Sequence, residues 1–272
     1  SVSAILYGNH PRLQSIKTSN IDRVSYDRIW QIYNERFSDA SGFKMVLVGN
    51  IDMEKLHPLL CQYVATLPSK GKRDTVKDTY PAVRNANETH TFKKKMNTPS
   101  TLVSVFYTFD EPYTAKADLA LDVFKRVLTI AYTDSIREEK GGTYGVSVQS
   151  ELDRNSKPTT LIKIGFRTDP AKYEMLMPIV YRQIENIANN GPLAESMAKV
   201  KTYLLKAYQQ NAITNNYWDY VIYNNLRHGV DFHTGYEDLL NGITAQDIQQ
   251  IAKDMLKSNR RIEITMMPEY MQ

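Results

Sequence analysis

The chain has 272 residues, 42% hydrophobic and 24% charged. These are ordinary globular proportions, which exclude a disordered chain and suit about two domains, or one and a fraction. Its 34 basic and 30 acidic residues leave a net charge of +4, with no concentrated basic stripe of the kind a nucleic-acid binder carries.

Ser1-Val2-Ser3 lacks a signal sequence and an initiator methionine, so the chain reads as a piece of something larger or a processed product. The first twenty residues, through His10-Pro11 and Ser19-Asn20, read as a tail or connector. Ser25 caps a predicted helix in which Ile29, Ile32, Tyr33 and Phe37 recur at helical steps. After the Ser41-Gly42 break, Phe43 to Val48 is a predicted strand and Gly49-Asn50-Ile51-Asp52 a turn. Met53 to Leu67 is a second amphipathic helix, where Cys61 reads as a small buried hydrophobe beside Leu56, Leu60, Tyr63 and Val64. As the one cysteine, Cys61 allows no internal disulfide and no cysteine metal cluster.

Residues 68–87, polar around Ser69-Lys70-Gly71-Lys72-Arg73-Asp74, read as a linker. Strands are predicted at Thr89 to Met96 and Leu102 to Phe109, with Lys93-Lys94-Lys95 a solvated strand end. A helix over Asp118 to Ile136 leads to a strand pair, Thr143 to Leu152 and Thr160 to Phe166. Three helical stretches follow, the first with Tyr173, Leu176, Met177, Val180, Ile184 and Ile187 on one face. No apolar run reaches the ~18 residues of a membrane helix.

The end of the chain echoes its start. Val24-Ser25, Ile29, Ile32 and Phe37, followed by Lys44 to Val48, match Ile243-Thr244, Ile248, Ile251 and Leu256, followed by Arg261 to Met266. The helix positions share one offset, 243 − 24 = 219 residues, which points to a duplicated unit about one domain long.

Direct chemical signals are sparse. The five histidines, His10, His57, His90, His228 and His233, include no pair four apart on one helix face. His228 and His233, five apart with Asp231 between them, make a weak metal pair, and His10 and His57 read as surface or packing residues. There is no phosphate loop, serine elbow or cysteine nucleophile motif. One segment stands out, Asp134-Ser135-Ile136-Arg137-Glu138-Glu139-Lys140-Gly141-Gly142-Thr143-Tyr144-Gly145-Val146. One reading is a glycine-terminated helix with solvated charges and a packed strand tyrosine. The other is that Arg137 and Tyr144 face a shared cavity and hold a peptide's carbonyl oxygens.

The run Arg137 to Val146 resembles the Arg…Gly-x-x-Tyr segment in the C-terminal half of the pitrilysin/insulinase zinc peptidases (family M16). Tyr7 to Arg12 resembles the stretch leading into that domain. Tyr33 to Ala40, Val46 to Asp52 and Leu67-Pro68 are similar to its helix, strand and closing Leu-Pro, and Ile264 to Pro268 to its last strand. The diglycine form is most similar to the long bacterial periplasmic branch.

The resemblance implies an α+β M16 peptidase-like (LuxS–MPP-like metallohydrolase) fold. Residues 88–272 are expected to form a mixed, largely antiparallel sheet with helices on one face. Residues 1–67 are expected to finish the preceding related domain, with 68–87 as the linker. The resemblance further implies that this chain binds no metal, and that zinc sits on the N-terminal half of the full-length polypeptide. The two halves are then expected to close around a peptide substrate, where Tyr144 hydrogen-bonds the scissile carbonyl and Arg137, Gly141 and Gly142 help hold the backbone. Alone, the chain is expected to be inactive and prone to self-association through an apolar helix face. A periplasmic or cell-envelope location follows from the family branch only. A non-catalytic binding or assembly subunit is the alternative.

Overall fold

The computed structural model describes residues 2–71, 75, 81–138, 143–153 and 159–269. Contacts divide the chain into two compact units, residues 3–82 with 211–230, and residues 83–210 with 231–272.

The first unit begins with helices α1 (Val2–Tyr7) and α2 (Thr18–Ile21), where the sequence reading has only a connector. Helix α3 (Tyr26–Phe37) starts at Ser25, whose Oγ accepts from the Arg28 amide at 3.2 Å. Helix α4 (Met53–Tyr63) starts at Asp52, which accepts from the amides of Glu54 and Lys55. Local capping therefore accounts for both helices. Neither carries a fully buried residue. Trp30, Tyr33, Phe37 and Phe43 form a ladder of ring contacts and are each half exposed or more. Cys61 is exposed, against the expectation of burial, because the apolar side of α4 has no covering layer among the described residues. The segment Phe43 to Val48 is not a strand for a related reason. A strand is defined by its ladder, and no described strand lies beside this one.

The second unit contains β1 (Asn87–Lys94), β2 (Thr101–Asp110), α5 (Ala115–Glu138), β3 (Thr143–Leu152), β4 (Thr159–Thr168), α6 (Tyr173–Asn190) and α7 (Ala194–Asn211). Helix α8 (Asn215–His228) groups with the first unit. After it come α9 (Tyr236–Asn241), α10 (Ala245–Lys257) and β5 (Arg261–Pro268). The sheet order is β1-β5-β2-β4-β3. Only β1 and β5 pair in parallel, so the sheet is mixed and largely antiparallel as expected. Alternation along β2 and β4 turns Val103, Val105, Tyr107, Ile162, Ile164 and Phe166 to one face. That face shares a single core with Phe124, Leu128 and Tyr132 of α5, Leu176, Val180 and Ile184 of α6, and Ile248, Ala252 and Met255 of α10.

The repeat is visible in the helix starts, since Ala245 lies 245 − 26 = 219 residues after Tyr26. Thr244 and Asp247 cap α10 reciprocally, the Asp247 amide donating to Thr244 Oγ1 at 3.2 Å and the Thr244 amide to Asp247 Oδ2 at 2.7 Å. The two copies differ in packing, with Ile248 fully buried on α10 and Ile29 half exposed on α3.

A polar cluster sits inside the second unit's core. Glu263 of β5 is buried and accepts hydrogen bonds from the hydroxyls of Tyr173, at 3.0 Å, and Tyr181. Burial and the neighbouring Glu263 push the Tyr181 phenol far up, so it stays a donor. Glu263→Ala leaves these phenols without their charged acceptor and should destabilise the chain by about 2–4 kcal/mol, with Glu263→Gln costing less. Urea denaturation of the three proteins checks this; equal midpoints for wild type and Glu263→Ala would reject it.

Candidate functional site

The junction singled out in the sequence joins the last turn of α5 to the start of β3. Arg137 lies in that last turn and Tyr144 is the second residue of β3. Gly141 and Gly142 lie outside the described residues, as do the side chains of Arg137 and Tyr144. The backbone around them is informative. Helix α5 is fastened where it approaches the junction, because the buried Tyr132 hydroxyl donates to the Val180 carbonyl at 3.1 Å. Gln183 of α6 then donates to Ser135 Oγ at 2.7 Å, two residues before Arg137.

Strand β3 is the sheet edge, paired only with β4 among the described residues. Its register moves from Thr143↔Thr168 to Val146↔Phe166, three steps on β3 against two on β4. One extra residue is therefore accommodated at Tyr144-Gly145, a bulge of the kind that re-aims side chains and strengthens local twist. Gly145 carries a φ of +138°, which L side chains rarely adopt, while a Cβ added there would meet nothing within 4 Å. The requirement for glycine is thus conformational, not steric. Gly145→Ala should cost about 1–3 kcal/mol and loosen the start of β3. Hydrogen exchange at Val146 and Val148 together with a urea midpoint checks this; unchanged values would show that alanine is accommodated without strain.

Sequence reasoning missed a cleft of about 460 Å³ between the middle of α5, β3 and α7, lined by Lys125, Arg126, Ile130, Val148, Lys199 and Tyr203. Its cations are engaged. Asp122 lies 2.5 Å from Lys125 Nζ and 3.0 Å from Arg126 Nε, and the Arg126 guanidinium stands 4.8 Å over the Tyr203 ring. The i,i+3 and i,i+4 spacings to Asp122 were the available signal.

Metal donors do not assemble. Among the described residues no three His, Cys, Asp or Glu side chains gather as a metal-holding group. His10 Nδ1 accepts from the Arg12 amide, and His57 lies 3.8–3.9 Å from Cys61 Sγ on an exposed helix face. His90 Nε2 is 2.9 Å from Glu88 Oε1. His228 ends α8, and His233 Nδ1 faces the Tyr208 hydroxyl at 3.2 Å. The Asp231 carboxylate accepts from the amides of Thr234 and His233, and bonds from the Thr234 amide and side chain, then from the His233 amide, lower its pKa to about 2. A resident zinc does not fit these residues.

The second unit is a two-layer αβ domain, and among the described residues no metal centre is built. Residues 23–204, more than half of the chain, match the Peptidase M16 inactive domain, and the chain belongs to that family. It is 24% identical over 237 residues to a protein named "Zinc protease PQQL-like" from Arabidopsis thaliana, covering 80% of this chain and 24% of that protein. It is 25% identical over 178 residues to the "Probable zinc protease PqqL" of Escherichia coli strain K12, covering 64% of this chain and 18% of that protein. The chain thus spans a quarter or less of these curated relatives. The fold is shared with the crystal structure of the periplasmic protease PqqL from Escherichia coli (TM-score 0.79, 19% identity, 95% of this chain and 29% of that one). It is also shared with a peptidase M16 inactive domain from Pseudomonas fluorescens (TM-score 0.71, 16% identity, 99% of this chain and 65% of that one). No described helix is long and apolar enough to cross a membrane.

Proposed function

We propose that this chain is the substrate-binding, non-metal half of a zinc metalloendopeptidase, working with an N-terminal half that carries the zinc, and that the two close around an extended peptide. The observation that carries this is the junction itself. Arg137 on the braced end of α5 and Tyr144 in the bulged start of an edge strand flank the Gly141-Gly142 pair in sequence, within a chain of the M16 inactive family. In this reading Tyr144 donates to the scissile carbonyl oxygen as charge develops on it. Arg137 holds the peptide backbone, and Gly141 and Gly142 let that backbone approach. The metal belongs to the other half.

The same proposal places residues 1–67 at the end of a preceding related domain, 68–87 as a linker and 88–272 as the following domain. Support comes from the exposed apolar faces of α3 and α4, which are capped like buried helices and have no covering layer among the described residues. A periplasmic location is part of the proposal, supported by the relative described as periplasmic.

The test is peptidase activity of the full-length, zinc-loaded protein against a quenched mixed-peptide library, beside this chain alone. Activity of the full-length protein with silence from the chain is the expected result. A folded, zinc-loaded but inert full-length protein would overturn it in favour of a non-catalytic binding or assembly subunit.

A further inference from the structure

One cavity away from the α5–β3 junction is built from groups that the fold leaves short of a partner. It has a volume of about 190 Å³ and is lined by the first turns of α5, by α10, and by the neighbouring ends of β2, β3 and β4. Phe109, Leu121, Leu152 and Ile251 make an apolar lining, and Glu111, Asp247 and Asp254 bring three carboxylates.

The charges in this cavity are unevenly satisfied. Asp247 is fully used, its Oδ2 accepting from the Thr244 amide at 2.7 Å and its Oδ1 from Lys116 Nζ at 2.8 Å. Those contacts also occupy Lys116, the one cation among the lining residues. Asp254 receives a bond from a neutral donor, Gln250 Nε2, at 2.9 Å. Glu111 has no hydrogen-bond or ion-pair partner among the described residues, and burial followed by the charge of Asp254 holds its carboxyl above the usual range.

An independent observation comes from the sheet. Thr160 stands between Phe109 and Leu152 in the ladder, on the face that floors the cavity. It is 1% exposed, and its hydroxyl has no hydrogen-bond partner among the described residues. A buried hydroxyl left unpaired costs about 1–3 kcal/mol, and this one belongs to a residue of the same cavity lining as Glu111 and Asp254.

We propose that this cavity binds a primary ammonium or guanidinium group, with Glu111 and Asp254 taking the charge and the Thr160 hydroxyl accepting one N–H bond. The volume admits a short alkyl stem against Leu121, Leu152 and Ile251. An organic monocation suits the site better than a metal ion, because the described side chains do not gather as a metal-holding group. The same chemistry reaches the site from two sources, a lysine or arginine side chain of a peptide or a free aliphatic diamine.

Calorimetric titration of the intact chain separates these sources, with putrescine as one probe and lysine blocked at its α-amino and carboxyl groups as the other. At least one probe should bind saturably in the millimolar range. Glu111→Gln and Asp254→Asn should each weaken binding by about tenfold or more, and Thr160→Val by a smaller factor. Tighter binding of blocked lysine assigns the site to a peptide side chain, and tighter binding of putrescine assigns it to a free diamine. Thermal melts report whether each variant is folded, and the two carboxylate variants decide the matter if Thr160→Val is not. No saturable binding of either probe, or unchanged affinity in folded Glu111→Gln and Asp254→Asn, would overturn the proposal.

Discussion

Between about pH 10 and 12 the second unit should lose several kcal/mol of stability and unfold, because its core tyrosines are held protonated. Burial, opposed by Arg261 and helped by the charges of Glu263 and Glu185, raises the phenol of Tyr107 from 10.0 to about 12. Tyr132, fully buried, is raised well above 10.0, and Tyr181 is pushed up further by burial and Glu263. In each case the folded pKa exceeds the unfolded one. The stabilisation is therefore fully present below pH 10 and is lost as pH climbs through the folded value. For Tyr107 the difference of about two pH units amounts to about 2.7 kcal/mol. Tyr132 and Tyr181 stay protonated through that window and add to the loss, while Tyr236, raised to about 12 but partly exposed, adds less. Several such contributions rival the 5–15 kcal/mol that holds a typical domain together. Urea midpoints followed from neutral pH to about pH 11, with phenolate absorbance in parallel, check this. The fall should be shallower in Tyr107→Phe. A midpoint that stays flat through the onset of phenolate absorbance would refute the assignment.

What the sequence disclosed, and what it hid, follows from the range of the interactions involved. Helices α3, α6 and α10 were legible because capping residues and apolar spacing are local signals, and Ser25 caps where expected. Strands β2, β3 and β4 were legible from alternation and the turn chemistry between them. Burial was misread at Cys61, and strand pairing at Phe43 to Val48, because both depend on a neighbouring layer that local pattern does not report. The resemblance gave the fold class and the family. It did not give the parallel insertion of β5 between β1 and β2, which joins segments about 170 residues apart, as in Asn87↔Arg261. At the candidate site the sequence marked the helix-to-strand junction. The bulge at Tyr144-Gly145 was hidden because it arises from register with β4, a property of two strands together. The carboxylates of the 190 Å³ cavity were hidden for the same reason, since Glu111, Thr160 and Asp254 meet only in the fold.

If the proposed roles are right, Tyr144→Phe in the full-length, zinc-loaded protein should lower kcat by about 100- to 1000-fold with little change in KM. A phenol aimed at an oxygen that gains charge during the reaction interacts more strongly with the transition state than with the bound peptide, and removing such a donor costs that much. Arg137→Ala should act differently. A guanidinium holding a peptide backbone binds substrate and transition state alike, so KM should rise by about tenfold or more while kcat changes less. Arg137→Lys should not restore the loss, because an ammonium lacks the planar fork. The competing account makes the opposite forecast. Arg137 near the C-terminus of α5 also answers the helix dipole, and Tyr144 is also a residue of an edge strand. If those structural roles were all, both substitutions would lower the melting temperature and leave the kinetics of the folded fraction intact. Steady-state kinetics normalised to folded, zinc-loaded protein separate the two accounts. A kcat for Tyr144→Phe within about twofold of wild type would remove this tyrosine from the chemistry.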